Sequence, residues 1–534
     1  MNDFPKTPAR RRTVLRGLAL AAAGTALPAT ATTTAAAATH ARPASDTATL
    51  TLVHLGRDGR PVTAWTTRLS PLFGPDAGSA LTVEPDASGS GTATVRVPKG
   101  RYLLHAQLEV APADGGGVDW VVQPALDVER DATVVLDART ARPVDVRPPD
   151  PSARLRLGGV FVEVTHGGVT ALANLVHLTP TVRIAHLGPA AGAGAVRVWA
   201  DTYWEGADGI YALGHVVESD RVPAGLVRHP RRAELGTLVV RAAAPGPAAT
   251  GHGLLGLQPA TGTSPGLPLP MRVPGATTFL VTPERGSWDL TYTAPGAEDS
   301  GAPVNRYEVA GLAVPAGRTV VHTFDAPVFG PALDPAPGAR PIGLRTGNTL
   351  DLALALLADG DGHLPSAPPH TGARTTLHRA GVLVGTRRGT PGHASFTVPA
   401  GRAPYRLTTS AERPAGSVTA SWTFVSARTS EPTELPLSVV RFVPPPAPAG
   451  AHEVAVSSHG AAERTGVRSL AVAVSADRGA NWTPVPVRDG RFRVVPPASG
   501  GTVSLRAELV DGLGNTLTQT HVDAYAYGTG ATPA

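Results

Sequence analysis

The stretch TATVRVPKGRYLLHAQLEV (92–110) alternates β-branched or apolar residues with polar ones on both sides of Pro98-Lys99-Gly100-Arg101. A period of two interrupted by Pro and Gly is the signature of two strands joined by a turn. The same device returns as VPAGRTVV (314–321), with Pro315 and Gly317, and as VPAGRAPYRL (398–407), with Pro399 and Gly401. Pro fixes its own φ and offers no N–H, so it ends a strand, while Gly tolerates the positive φ of a turn. The expected role of Pro98, Gly100, Pro315, Gly317, Pro399 and Gly401 is therefore scaffold: a strand end, a turn and a strand start led by Arg.

Strand-like alternation extends over the rest of the chain. TATLTLVHLG (47–56), GSVTASWTFVSA (416–427) and GTVSLRAELVDGLGN (501–515) all follow it. TLDLALALLADG (349–360) places Leu350, Leu352, Leu354 and Leu356 on one face. No long stretch keeps a 3.6-residue period after the first 41 residues, so the predicted class is all-β, as tandem β-sandwich modules of immunoglobulin-like or jelly-roll-like kind. With 534 residues the chain has room for several domains. Pro-rich breaks at 142–153, 329–341 and 442–453 suggest modules at 45–146, 150–333, 341–445 and 450–530, the last with one Asp-box hairpin.

The first 41 residues read as a leader. ARRRTVLRGLALAAAGTAL (9–27) contains Arg11, Arg12 and Leu15 in the order of a twin-arginine export signal, followed by a mildly apolar segment too weak for a membrane span. Cleavage is expected near Ala38 or Ala41, and the twin-arginine export machinery is the partner the motif implies. Export gives a secreted, extracellular location. The leader holds five basic residues against Asp3, a net of +4, and the whole chain carries +5. The remainder is thus close to neutral, and a nucleic-acid role has no electrostatic footing. With no Cys, the fold relies on its cores rather than on disulfides.

Motifs that could carry chemistry are sparse. Ser475-Ala-Asp477-Arg-Gly479-Ala-Asn-Trp482 matches the S-x-D-x-G-x-x-W pattern of an Asp-box. There Ser475 and Asp477 can bond turn amides, Gly479 relieves the backbone and Trp482 packs below the turn, which makes the motif a structural clip. TGTSPG (261–266) and THGG (165–168) resemble fragments of a subtilisin site, but Pro265 follows Ser264 where a helix start would be needed. ADGDGH (358–363) offers Asp359, Asp361 and His363, too few oxygen ligands for a calcium loop, and reads as a solvated turn. No cofactor is expected, no metal site and no catalytic residue.

From about residue 46 to the end, the chain resembles the C-terminal accessory region of large secreted actinobacterial subtilisin-like serine peptidases. The matching stretches include VRVPKGRYLL (95–104), TVVLDARTARPV (133–144), RTTLHRAGVLVG (374–385), LPLSVVRFVP (435–444) and SLAVAVSADRGANWTPV (469–485), in that order. The peptidase domain and its Asp, His and Ser motifs are missing, so the resemblance carries over no catalytic residue. It implies β-sandwich appendages in an extracellular setting. The expected function is a secreted, non-enzymatic, multi-module protein that binds a secreted peptidase, a protein substrate or a cell-envelope component. The alternative is a secreted serine peptidase or hydrolase relative with an unrecognised active site.

Overall fold

The computed structural model describes residues 46–528, apart from 88, 180, 244–250, 261–262, 265, 296–304, 334–341 and 447. The export motif at Arg11, Arg12 and Leu15 lies outside the described residues. Almost all regular structure is β; among the described residues the single α-helix is the five-residue Ala461–Thr465. No helix of the described residues is long and apolar enough to cross a membrane.

From Thr47 to Phe324 four sheets lie in layers with three cores between them. In the first layer Thr47–Leu55 lies between Thr92–Pro98 and Ala132–Asp137. The second layer has seven strands, with Gly100–Glu109 and Val118–Val128 near its middle. The third has seven, including Val196–Gly206, Gly209–Ser219 and Gly275–Val281. The fourth has four, with Ser287–Thr293 paired to Arg306–Ala313.

The two middle layers are covered on both faces, and the pleat sorts their residues between cores. On Gly100–Glu109, Tyr102 and Leu104 enter the core shared with the first layer, whereas Leu103 enters the core shared with the third. On Gly275–Val281, Phe279 and Val281 face the fourth layer and Leu280 faces the second. This explains why RYLLHAQL and VWADTYW read as apolar runs rather than as clean alternation: neither face meets water.

From Val328 onward one core serves everything. An eight-stranded sheet runs Val382–Arg388, Gly372–Arg379, Ala403–Arg413, Gly416–Ser426, Thr516–Tyr527, Gly501–Asp511, Val467–Ser475 and Thr483–Val485. The remaining strands form a four-stranded sheet containing Thr349–Ala353, a three-stranded sheet containing Ser438–Val443, and the short pair Gly330–Ala332 and Ala355–Ala358. Leu350, Leu352, Leu354 and Leu356 are buried as their spacing predicts.

The expected module boundaries at 146–150 and 445–450 fall inside continuous sheets. Arg142–Val146 pairs with Val182–His186 and with Leu226–Arg228, so the second layer draws strands from both sides of the first Pro-rich break. Gly416–Ser426 pairs with Thr516–Tyr527 across the last one. Pro143 sits where its ladder pairing is only partial, the position in which a strand tolerates a missing N–H. From Thr47 on, the chain is one compact unit.

The repeated Pro-x-Gly-Arg device has a more specific job than ending a hairpin. Each copy carries the chain from one sheet to the facing one. Thr92–Pro98 is in the first layer and Gly100–Glu109 in the second. Arg306–Ala313 is in the fourth and Thr319–Phe324 in the third, while His393–Thr397 leaves the four-stranded sheet and Ala403–Arg413 enters the eight-stranded one. Pro ends one ladder and the chain re-enters another after the Gly.

The three glycines differ. Gly100 has φ +150°, and a Cβ there would stand 2.3 Å from the Phe73 ring. Gly317 has φ +66° in open space. Gly401 is not in the left-handed region and has only Arg379 Nη2 near, at 3.5 Å, so the expectation of strain fails for it. In urea denaturation Gly100→Ala is expected to cost about 2–3 kcal/mol, Gly317→Ala about 1–2 kcal/mol, and Gly401→Ala less than about 0.5 kcal/mol. Equal costs at all three positions would contradict the assignment.

Arg101 is not a loose solvated side chain either. Its Nε and Nη2 each donate to an Asp127 carboxylate oxygen at 2.7 Å across the Gly100–Glu109/Val118–Val128 pair. This fork holds the Asp127 carboxyl below its ordinary pKa.

Candidate functional site

The Asp-box segment forms a closed clip at the end of Val467–Ser475. The Ser475 hydroxyl donates to Asp477 Oδ1 at 2.6 Å and accepts the Gly479 N–H at 2.8 Å. Asp477 accepts the Asn481 N–H at 2.9 Å and its side-chain amide at 2.7 Å. These bonds, Ser475 first, hold the Asp477 carboxyl down at about 2. Gly479 takes φ +87°. Trp482 stays half-buried at the surface of the eight-stranded sheet instead of entering the core, and the Arg506 guanidinium lies 4.2 Å from its ring centre. A second clip of the same spacing closes DGLGN (511–515): Asp511 accepts from the Leu513 and Asn515 N–H groups and from the Asn515 amide. An Asp with Asn four residues on is the shared signal.

The densest group of titratable side chains lies at the seam between the fourth layer and the part of the chain from Val328 on. Asp325, with φ +57°, follows the strand Thr319–Phe324 and is almost fully buried. Its carboxylate accepts Tyr307 Oη at 2.7 Å and Tyr292 Oη at 3.2 Å. Burial pushes the carboxyl up to about 6. Asp359 accepts the His363 N–H at 2.8 Å, and its other oxygen lies 3.0 Å from His363 Nδ1. The His363 ring sits 4.8 Å from that of Phe324. Burial disfavours the imidazolium, but the Asp359 carboxylate outweighs it and holds the His363 pKa above the ordinary value.

From the other side, Arg441 donates to the Asp359 carbonyl and reaches the carbonyls of Gly330 and Pro331. Arg413 stacks 3.7 Å from the Phe329 ring centre, its guanidinium lowered to about 10 by burial. The expected solvated turn at 358–363 is therefore corrected: Asp361 is exposed, but Asp359 is fully buried and used as a tie. Among the described residues no group of three His, Asp or Glu is arranged to hold a metal ion.

Three further buried ties lie between layers. The Gln519 amide group accepts the Val440 N–H at 3.2 Å and donates to the Val440 carbonyl at 2.6 Å, pinning the three-stranded sheet to the eight-stranded one. Next to it the His521 imidazole, pushed down to about 4 by burial, bonds the Phe329 carbonyl at 3.0 Å. In the third layer Asp201 and Arg285, each 1 % exposed at the side chain, stand 2.9 Å apart, with Arg285 also over the Trp199 ring. Burial pushes the Asp201 carboxyl up to about 6 against the pull of Arg285. Ser264 adjoins this pair, so its hydroxyl neighbours a carboxylate already engaged by a guanidinium.

An open groove of about 360 Å³ lies on the first break, lined by Arg147, Pro149, Asp150, Trp204 and His229. The structure does not bring together the Asp-box, the three Pro-x-Gly-Arg crossings and the 358–363 loop. The seam residues Asp325, Arg413, Arg441 and His521, and the pair Asp201 and Arg285, were not singled out by sequence reasoning. Their one sequence signal is a charge inside an apolar run, as in VWADTYW and SVVRFV.

No family model matches the chain, and no curated protein matches it. A streptococcal ancillary pilin among solved structures is 9 % identical and aligns over 66 % of this chain and 95 % of that one, with a TM-score of 0.12. A score that low carries no argument about fold or role.

Proposed function

We propose that the chain is a secreted, non-enzymatic β-sandwich protein, exported by the twin-arginine route through Arg11 and Arg12, that binds a protein or envelope component. One observation carries the non-enzymatic part of the reading. The buried charged groups lie at junctions between sheets: Asp201 with Arg285, Asp325 with two tyrosines, and Asp359 with His363 and Arg441. Groups spent in this way hold layers in register and leave the outer faces for recognition. The order of the stretches that resemble subtilisin-like peptidase accessory regions supports the extracellular setting.

The test is capture. Immobilised protein starting at residue 45 is exposed to culture supernatant and to isolated envelopes of the producing cells. Saturable retention by one of the two fractions is expected, and retention by neither would overturn the binding reading. Export is tested separately: changing Arg11 and Arg12 together to Lys is expected to abolish secretion, because the paired guanidinium groups are what the receptor reads. Normal extracellular yield would contradict the export route.

A further inference from the structure

The outward face of the eight-stranded sheet carries an ordered set of hydroxyls. Thr386, Thr376, Thr408, Ser421 and Thr518 stand side by side on five neighbouring strands in one register row. The next row holds Ser410, Thr419 and Thr520, and the row on the other side holds Thr423 and Thr516. Their chain neighbours Leu407, Trp422 and Leu517 lie in the core, so the pleat turns the hydroxyls outward. Thr408 and Ser421 bond at 2.8 Å, and Thr423 and Thr516 at 2.6 Å. Strand spacing of about 4.8 Å, and a two-residue repeat of about 6.8 Å along each strand, make this a grid.

Arginines frame the grid. Arg388 and Arg374 end the Ser410 row on one side, Arg506 ends it on the other, and Arg406 pairs with Thr423. Glu412 and Glu508 stand on the same face, Glu508 at the end of the five-residue row, against the four arginines Arg374, Arg388, Arg406 and Arg506. Among the described residues no carboxylate holds Arg374, Arg388 or Arg406. Arg506 lies against the half-exposed Trp482 ring at the grid's edge. Strand propensity accounts for Thr on a solvated face. It does not account for arginines at both ends of the Ser410 row or for the Arg506 guanidinium laid against an open tryptophan ring.

We propose that this face binds a linear acidic polysaccharide, an extended sugar chain carrying carboxylates, laid across the strands along the hydroxyl rows. Side-chain hydroxyls both donate and accept, as sugar hydroxyls do, and can replace water at each step. The guanidinium forks match carboxylates. Trp482 offers an apolar ring to the C–H face of a sugar. The inference rests on the partner-binding reading and narrows the partner to an envelope-type polysaccharide.

The experiment titrates the protein starting at residue 45 with polygalacturonate and with neutral dextran of matched length. Saturable binding to polygalacturonate, weakening as salt screens the arginines, is expected, with dextran weaker by about tenfold or more, the scale of one lost charged contact. Arg374→Ser with Arg388→Ser is expected to weaken polygalacturonate about tenfold at an unchanged melting midpoint. Thr408→Val with Thr518→Val, which keeps strand propensity, weakens both sugars and carries the test if the arginine variant misfolds. Equal affinity for the two polysaccharides, no binding, or variants that bind like the parent would overturn the proposal. A protein captured from supernatant equally by parent and variants would keep the partner-binding reading and remove this one.

Discussion

Replacing Asp201 with Ala is expected to lower stability by about 3–5 kcal/mol in urea denaturation, the scale for breaking a buried ion pair from one side. Arg285 then keeps its charge, 1 % exposed between the third and fourth layers and beside the Trp199 ring, without the Asp201 countercharge. The cost comes from a buried guanidinium that has lost its countercharge more than from any large net gain of the pair. The double change Asp201→Leu with Arg285→Met therefore recovers most of the loss, because a buried pair exchanged for apolar groups of similar volume is near neutral or stabilising. If the double variant is as unstable as the single one, packing rather than charge governs the site.

Trp422→Ala is expected to cost about 3–5 kcal/mol. The indole is 1 % exposed in the core that serves everything from Val328 on, and its Nε1 donates to the Ser438 carbonyl at 2.7 Å. Truncation leaves a cavity and an unpaired carbonyl together. Because Gly416–Ser426 pairs with Thr516–Tyr527, the loss is felt on both sides of the Pro-rich break at 442–453. Hydrogen exchange is expected to rise in 343–443 and in 452–527 to the same extent. Faster exchange confined to 343–443 would show two independent modules there.

Strand content was legible in the sequence because a period of two is a local property. TLDLALALLADG fixes its own inward leucines, and the Pro-x-Gly-Arg device marks its own strand ends. What pairs with what was not legible. The stretch 142–153 reads as a linker, since Pro143, Pro148 and Pro149 dominate it, yet its strand Arg142–Val146 pairs with Val182–His186 and Leu226–Arg228, about 40 and 80 residues on. Register between such distant strands is set by packing that no local pattern records. The Asp-box clip was visible because its bonds span four residues. Asp325 was not, because Tyr292 and Tyr307 reach it through space and the sequence shows only a lone Asp after VVHTF. The hydroxyl grid was half visible: Thr alternation is plain in each strand, but its alignment into rows needs the sheet.

The most direct test of the claim that the buried charges are structural ties is to treat the folded protein starting at residue 45 with a fluorophosphonate probe, then map adducts by mass spectrometry. Ser264, set beside the engaged Asp201–Arg285 pair, is expected to remain unmodified, and Ser264→Ala should leave envelope or partner capture unchanged. A stoichiometric adduct on Ser264 that disappears in Ser264→Ala would contradict the account and make this junction a hydrolase site.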